Sequence, residues 1–366
     1  MHFKKEQDYK AWVAMQEKGA IGGGLLTPQG GEDYVGAIPA IRAVIYFKEG
    51  YSNEMREAIA QCFDDYQNHA KDHLKWLWQD EPPKEEENTL EYKKTKPIRK
   101  ILNSYDRMKA FGLLYTSGKE KFATGAWEFY VSGKSEWQSK KRESQSTLTF
   151  SMPIEWVEEN PKLFIDLFIK SANRLKANHG YAGYACILSK IRNDKNEPTE
   201  AFLSRKLWAM DVGNAMLSAK YLVDGIKTVS WLTAINYEWF NRIKNEEALN
   251  SELPMNWFIG YDYGSGVVIQ AGALPNDGSI ESDSLPAPYI LLNRILKPLR
   301  VEKIQAIHRG NYSTEENPLI TGYRAEAWMK RFDIEDDQKL EYFTKLQDEP
   351  KLNSQYAFLD KRIDWN

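Results

Sequence analysis

The clearest structural signal in the sequence is the alternation of apolar and polar side chains between residues 146 and 152. Leu, Phe and Met alternate there with Thr and Ser, a pattern typical of a β-strand that buries one face. A helix is predicted to follow, because Asn160 and Pro161 are favoured at a helix start and apolar residues then recur every three or four positions. Gly180, directly after His179, is predicted to end that helix.

The same order of strands and helices can be read twice along the chain. In the first half, the predicted strands are 41–47, 126–131, 146–152 and 182–188, with helices that begin at Ser52 and Asn160. In the second half, the predicted strands are 226–232, 256–263, 267–274 and 301–307, with helices at 237–247 and 288–299 and a spacer helix at 207–221. The sequence therefore predicts an α+β fold of antiparallel or mixed sheets with helices on one face. Two tandem ferredoxin-like (βαββαβ) halves are one form that this order could take.

Length and charge distribution indicate how the chain is divided. A chain of 366 residues is long enough for about two domains. We predict a first α+β half at 1–190, a second at 191–310 and a peripheral tail with a helix at 311–366. The first half carries a charged insertion near 80–110, since five acids and one base in 80–87 precede seven bases and one acid in 92–109.

Charge and cysteine content exclude several classes of protein. The chain has 49 Lys and Arg against 52 Asp and Glu, and its pI is near 6.1, whereas nucleic-acid-binding domains usually have a pI above about 9. Two cysteines cannot form a disulfide framework or a Cys-rich metal site. There is no apolar run of about 20 residues for a membrane span, and the N-terminus lacks the apolar part of a signal peptide. A cytoplasmic globular protein is therefore expected.

Motifs that could carry catalysis are weak. His69 and His73 are four residues apart on a predicted helix and could share a zinc ion, but no third ligand is evident and a solvated helix face is the alternative. Residues 133–135 (Gly-Lys-Ser) resemble the end of a phosphate-binding loop, yet Glu128 stands where that motif needs a glycine. A hairpin turn explains this triplet better. A metal-dependent hydrolase that uses His69 and His73 is the enzymatic alternative for the chain.

Four further residues have structural interpretations. Cys62 and Cys186 lie in apolar periodic segments and are predicted to be buried structural thiols. His179 is expected at a helix end, where a cation interacts favourably with the helix dipole. Trp137 lies among lysines and is the tryptophan most expected to be exposed, where it could stack on a nucleic-acid base. The sequence contains no recognisable catalytic set.

Several short motifs occur together in a familiar order. They are 175–184 (which ends His-Gly-Tyr-Ala-Gly-Tyr), 229–233 (Val-Ser-Trp-Leu-Thr), 268–272 (Val-Ile-Gln-Ala-Gly) followed by Pro275, Tyr289, and 296–300 (Leu-Lys-Pro-Leu-Arg). Their order and spacing resemble the type VI secretion immunity family (TsiV-like) over about residues 20 to 310. Its best-described members protect bacteria from antibacterial effectors that carry a VRR-Nuc nuclease domain. Ser279 departs from the pattern, since an acidic residue is expected after the glycine of the Pro-x-x-Gly turn.

The resemblance implies a non-enzymatic immunity protein without a cofactor or a metal. It would bind a cognate effector, a VRR-Nuc DNase, and block its active site or DNA-binding surface, with no direct contact to nucleic acid or membrane. An immunity protein for a non-nuclease effector is the alternative.

Because a nuclease presents a basic surface to DNA phosphates, acidic patches are the candidate effector-binding sites. The candidates form three groups: Asp80, Glu81, Glu85, Glu86 and Glu87; Glu155, Glu158 and Glu159; and Asp333, Glu335, Asp336 and Asp337. For each group, a merely solvated surface is the alternative interpretation.

Overall fold

One large antiparallel sheet organises the protein. The computed structural model describes residues 21–22, 34–82, 87–142, 144–190, 193–243, 249, 251–282, 285–309 and 319–363. The strands in these ranges are β1 (Ile21–Gly22), β2 (Val35–Phe47), β3 (Trp76–Gln79), β4 (Thr89–Glu91), β5 (Phe111–Thr116), β6 (Glu128–Gly133), β7 (Ser146–Met152), β8 (His179–Leu188), β9 (Leu232–Asn236), β10 (Phe258–Asp262), β11 (Gly266–Ala271) and β12 (Arg362–Ile363). Their order is β12-β10-β11-β9-β8-β2-β7-β6-β5-β3-β4, with β1 also paired to β2.

Short and medium helices cover this sheet. They are α1 (Asn53–Ala70), α2 (Ile98–Ser104), α3 (Glu136–Arg142), α4 (Ile154–Glu159), α5 (Pro161–Arg174), α6 (Asn193–Ser204), α7 (Ala215–Ser218), α8 (Tyr237–Ile243), α9 (Ala287–Leu296), α10 (Tyr323–Met329) and α11 (Lys339–Leu346). Large helical and strand contents in one chain confirm the predicted α+β class.

The central strand β2 separates two cores. Alternate residues of a strand point to opposite faces of the sheet. Ile41 and Ile45 pack with the apolar faces of α1 and α5, whereas Val44 and Tyr46 pack with residues of α6 and α10. The structure therefore places helices on both faces of the sheet, and the prediction of helices on one face is wrong. A period-2 pattern shows that a strand has two different faces but does not tell what covers the second.

The predicted starts of α1 and α5 are confirmed. Ser52 is the N-cap of α1, and its hydroxyl accepts a hydrogen bond from the Met55 amide at 3.2 Å. Pro161 is the first residue of α5. The predicted end at Gly180 is wrong, because α5 ends at Arg174 and residues 179 and 180 already belong to β8.

The second half departs more from the prediction. The hairpin of β10 and β11 is confirmed. Of the predicted strand 226–232, however, only Leu232 lies in β9, and 301–307 contains a single isolated bridge, at Ala306, instead of a strand. The tandem ferredoxin-like arrangement is therefore not confirmed. Instead, β9 pairs directly with β8, so both halves contribute to one sheet.

The charged insertion and the tail both contribute to the core. The insertion contains β4 and α2, and Ile98, Ile101 and Leu102 of α2 are buried in the same core as α1. The tail contains the predicted helix as α11, whose Leu346 is fully buried. Charge-rich segments therefore carry enough apolar residues here to be part of the fold.

Candidate functional site

The second acidic group lies on a short surface helix. Pro153 precedes α4, and the fixed φ of proline suits a helix start. Glu155, Glu158 and Glu159 are all exposed on this helix. Among the described residues, none of the three carboxylates forms an ion pair. Their negative charge is therefore available to a partner.

A tyrosine and a second acidic element lie beside α4. The Tyr184 hydroxyl donates to the Glu158 carboxylate at 3.4 Å. Burial raises the pKa of Tyr184, and the nearby Glu158 and Asp277 carboxylates raise it further, so the phenol stays protonated at neutral pH. The loop that carries Asp277 therefore adds to the negative charge of α4.

Two exposed apolar side chains, Trp208 and Ile280, lie on or beside the loop that carries Asp277. The backbone of 207–209 pairs with this loop, since the Trp208 amide donates to the Gly278 carbonyl at 3.0 Å. Trp208 is 42% exposed and Ile280 is also 42% exposed. We use the name "α4 surface" for Glu155, Glu158, Glu159, Tyr184, Asp277, Trp208 and Ile280. Exposed aromatic residues next to charges are typical of protein interfaces.

The first acidic group lies at an edge of the sheet. Asp80 and Glu81 follow β3, Glu87 precedes β4, and all three are exposed. Glu85 and Glu86 lie outside the described residues. Asp80 is close enough to Lys134 and Lys190 to favour their charged forms, so its own charge is partly offset.

The third acidic group is engaged within the fold. Asp333 accepts two hydrogen bonds from the Arg300 guanidinium, at 2.7 and 2.6 Å. Partial burial opposes its ionisation, but the bonds from Arg300 and Asn293 hold the pKa of Asp333 below its usual value. Asp336 pairs with Arg294 at 2.8 Å.

The remaining residues of that group differ in their roles. Glu335 forms a capping box with Gln338, while Asp337 is simply exposed. Most of the third group therefore stabilises the tail and offers little free charge to a partner.

A buried charge cluster joins the sheet to the layer that covers its second face. The Lys227 ammonium donates to the Asp211 carboxylate at 2.8 Å, to the Val212 carbonyl at 2.7 Å and to the Tyr181 hydroxyl at 3.2 Å. Arg42 of β2 donates to the other oxygen of Asp211 at 2.6 Å. Burial opposes the charge of Asp211, but Lys227 and Arg42 hold its pKa below the usual value.

A second buried pair lies next to this cluster. The His308 Nδ1 accepts from the Ile320 amide at 3.1 Å, so the proton of a neutral ring is on Nε2, which donates to Glu200 at 2.8 Å. Both side chains are fully buried. A cavity of about 40 Å³, lined partly by Arg42 and Glu200, has room for about one or two water molecules.

No motif in the sequence marks these buried residues as a cluster. Arg42 was a possible signal, because a charged residue interrupts an apolar strand there. Its partner Asp211 is 169 positions away, and no local pattern connects them. These polar contacts hold the layer that covers the second face of the sheet in place, so we assign the cluster a structural role.

The structure does not bring His69 and His73 together as a metal site. His73 stacks on Trp127, with ring centroids 4.7 Å apart and planes at 2°, and His69 contacts Trp156 at 5.4 Å between centroids. Within the described ranges, no group of three His, Cys, Asp or Glu side chains could hold a metal ion.

The expectation that His179 caps a helix is wrong. His179 is fully buried at the start of β8, where its Nδ1 donates to the Ala234 carbonyl at 3.0 Å and its Nε2 accepts from the Lys227 amide at 3.3 Å. Burial lowers the pKa of His179 to about 4, so the ring is neutral at pH 7.

Gly133 is the last residue of β6, and residues 134 and 135 connect β6 to α3. The connection between β6 and β7 therefore contains a helix, and the prediction of a simple hairpin turn is wrong. Trp137 on α3 is 40% exposed, as predicted. Cys62 and Cys186 are buried, also as predicted, and burial raises the pKa of the Cys62 thiol to about 12.

Comparisons with known proteins place the chain in a family. Among the described helices, none is long and apolar enough to cross a membrane. No curated protein sequence gives a significant match. A solved structure, the Pseudomonas aeruginosa T6SS protein PA0821, is similar with a TM-score of 0.90 and 39% sequence identity, over 98% of this chain and 100% of that chain. The profile of the TsiV family, described as type VI immunity for VRR-NUC, matches residues 58–332. The resemblance found in the sequence is thus confirmed, and the chain belongs to the TsiV family of type VI immunity proteins.

Proposed function

We propose that the protein binds a cognate VRR-Nuc effector of the type VI secretion system and blocks its active site or DNA-binding surface. The observation that carries this proposal is the TsiV family match over residues 58–332. As an immunity protein it acts in the cytoplasm of the cell that it protects, without a cofactor and without contacting nucleic acid. It works by binding alone and catalyses no reaction.

We further propose that the α4 surface is the main effector contact. A DNase must present cationic groups to DNA phosphates, and an inhibitor that covers them gains from negative charge on its own surface. Glu155 and Glu158 carry such charge without an ion pair to any described residue, whereas most of the third acidic group is paired internally. Trp208 and Ile280 add apolar area, which a stable interface needs in its centre.

The expected complex has the properties of a specific inhibitor. An immunity protein should bury about 800 Å² or more on each partner and bind with nanomolar affinity or better. Because part of this affinity comes from charge, the association rate should fall as salt concentration rises.

Charge reversal on α4 tests the contact. The double variant Glu155→Lys/Glu158→Lys should weaken binding of the purified effector by at least about tenfold and reduce the salt dependence of the association rate. Glu302→Lys/Asp360→Lys is the matched control, since both residues are exposed and the two substitutions make the same change of charge elsewhere. Binding kinetics of both variants should be measured on the immobilised effector.

Each outcome of this experiment is informative. Equal weakening in both variants would show that total charge matters and would contradict a contact at α4. Unchanged affinity in the α4 variant would move the interface to another surface. If wild-type protein failed to bind the effector at all, the immunity function itself would be contradicted.

A further inference from the structure

A cationic groove lies outside the α4 surface. It is formed by α3, α7 and the segment 305–309, and its volume is about 380 Å³. The residues that line it include Lys134, Lys220, Arg309, Met216, Leu217 and Tyr221. The described residues of the lining include no Asp or Glu.

The positive charge of this groove is only partly compensated within the described part of the protein, by Asp80 near Lys134 and by Glu197, whose carboxylate accepts from the Arg309 backbone amide at 2.9 Å. Lys134, Lys220 and Arg309 form no ion pair with any described carboxylate. Burial lowers the pKa of Lys134, and repulsion from Arg309 lowers it further, which the Asp80 carboxylate only partly offsets. An anion between Lys134 and Arg309 would relieve this repulsion.

The shape and lining of the groove limit what it can bind. Its volume lies within the range of small-molecule pockets, about 300 to 1,000 Å³. A protein partner would instead need about 800 Å² of surface, which a concavity of this size does not offer. Arginine and lysine are the residues that most often bind phosphate groups, and Met216, Leu217 and Tyr221 offer an apolar wall beside them.

We propose that this groove binds a small phosphate ester, with the phosphate between Lys134 and Arg309 and the organic part against Met216, Leu217 and Tyr221. Lys220 is exposed, lies over the Tyr221 ring at 4.7 Å from its centroid and adds positive charge to the groove. This site is independent of the effector-binding function, and neither proposal requires the other.

Calorimetric titration of the full chain with three probes tests the site. Adenosine 5′-monophosphate should bind at one site per chain, inorganic phosphate should bind more weakly, and adenosine should not bind detectably. The double variant Lys134→Met/Arg309→Met should lose at least about tenfold in affinity for the monophosphate, since it removes both phosphate contacts. Lys93→Met/Lys100→Met is the control, because it removes two exposed lysines outside the groove.

The results that would overturn the proposal are equally defined. It fails if neither the monophosphate nor phosphate binds saturably, or if both double variants lose affinity to the same extent. Equal affinity for phosphate and the monophosphate would overturn the assignment of an ester. If the groove variant does not fold, as judged by its thermal transition, Lys220→Met replaces it, since that lysine is exposed and should lose a smaller but measurable part of the affinity.

Discussion

Replacing Lys227 by Met removes one of the two cations that hold Asp211 inside the protein. The Lys227 side chain is fully buried and that of Asp211 is 4% exposed, so water cannot replace the lost contact. Breaking a buried ion pair by removing one partner costs about 3–5 kcal/mol. Arg42 still contacts Asp211 at 2.6 Å, so the carboxylate keeps one cation and the lower end of this range applies. We therefore expect Lys227→Met to lower the free energy of unfolding by about 3 kcal/mol.

Urea denaturation, monitored by tryptophan fluorescence, measures this loss of stability. With a denaturant dependence of about 3 kcal/mol per molar urea, the midpoint should fall by about 1 M. Lys339→Met is the matched control, because Lys339 pairs with Glu252 at 3.0 Å but its side chain is 36% exposed. Exposed pairs contribute less than about 1 kcal/mol, so this midpoint should change by less than about 0.3 M. Equal shifts in the two variants would refute the reasoning that burial makes the Lys227 contact important.

Three further predictions address other parts of the fold. Buried His179 stays neutral down to about pH 4, whereas the same residue in the unfolded chain is protonated below about pH 6.5. The free energy of unfolding should therefore fall by up to about 3 kcal/mol as the pH is lowered from about 6.5 to about 4. His179→Gln should remove most of this pH dependence, as measured by denaturation curves. Gly133→Ala should lower the thermal midpoint and cost about 1–3 kcal/mol, because its Cβ would lie 2.2 Å from the Phe111 ring; an unchanged midpoint would contradict the packing. Asp333→Ala should destabilise the protein by about 1–2 kcal/mol, because it removes the pair with Arg300, while the affinity for the effector stays constant. A loss of affinity without a loss of stability would instead indicate that the third acidic group contacts the effector.

Local sequence signals predicted those elements whose cause is local. Ser52 and Pro161 define helix starts by contacts within one turn, and the alternation at 146–152 predicts β7. The prediction that this strand buries only one face is wrong, because all seven residues of β7 are buried. The acidic residues of α4 could be named from the sequence as a candidate surface. Their neighbours Tyr184 and Trp208 could not, because the fold alone brings them near α4.

Elements that depend on tertiary contacts differ from the sequence predictions. Residues 226–232 are all buried, the polar Lys227, Thr228 and Ser230 included, but burial alone does not distinguish a strand from an irregular segment of the core. The sequence predicts Gly180 as a helix end, but the residue lies in β8, where its small size allows the close approach of two strands, since a Cβ there would lie 2.8 Å from the Val44 carbonyl oxygen. The pairing of Arg42 with Asp211 depends on residues far apart in the chain, which one sequence cannot reveal.

Inhibition of DNA cleavage tests the central claim most directly. The protein and its cognate effector should be purified separately, and cleavage of plasmid DNA by the effector should be measured as this protein is added in increasing amounts. We predict that cleavage stops at a one-to-one molar ratio, and that at the same effector concentration the Glu155→Lys/Glu158→Lys variant leaves measurable cleavage at that ratio. A nuclease that remains fully active with an equimolar amount of wild-type protein would contradict the proposed function.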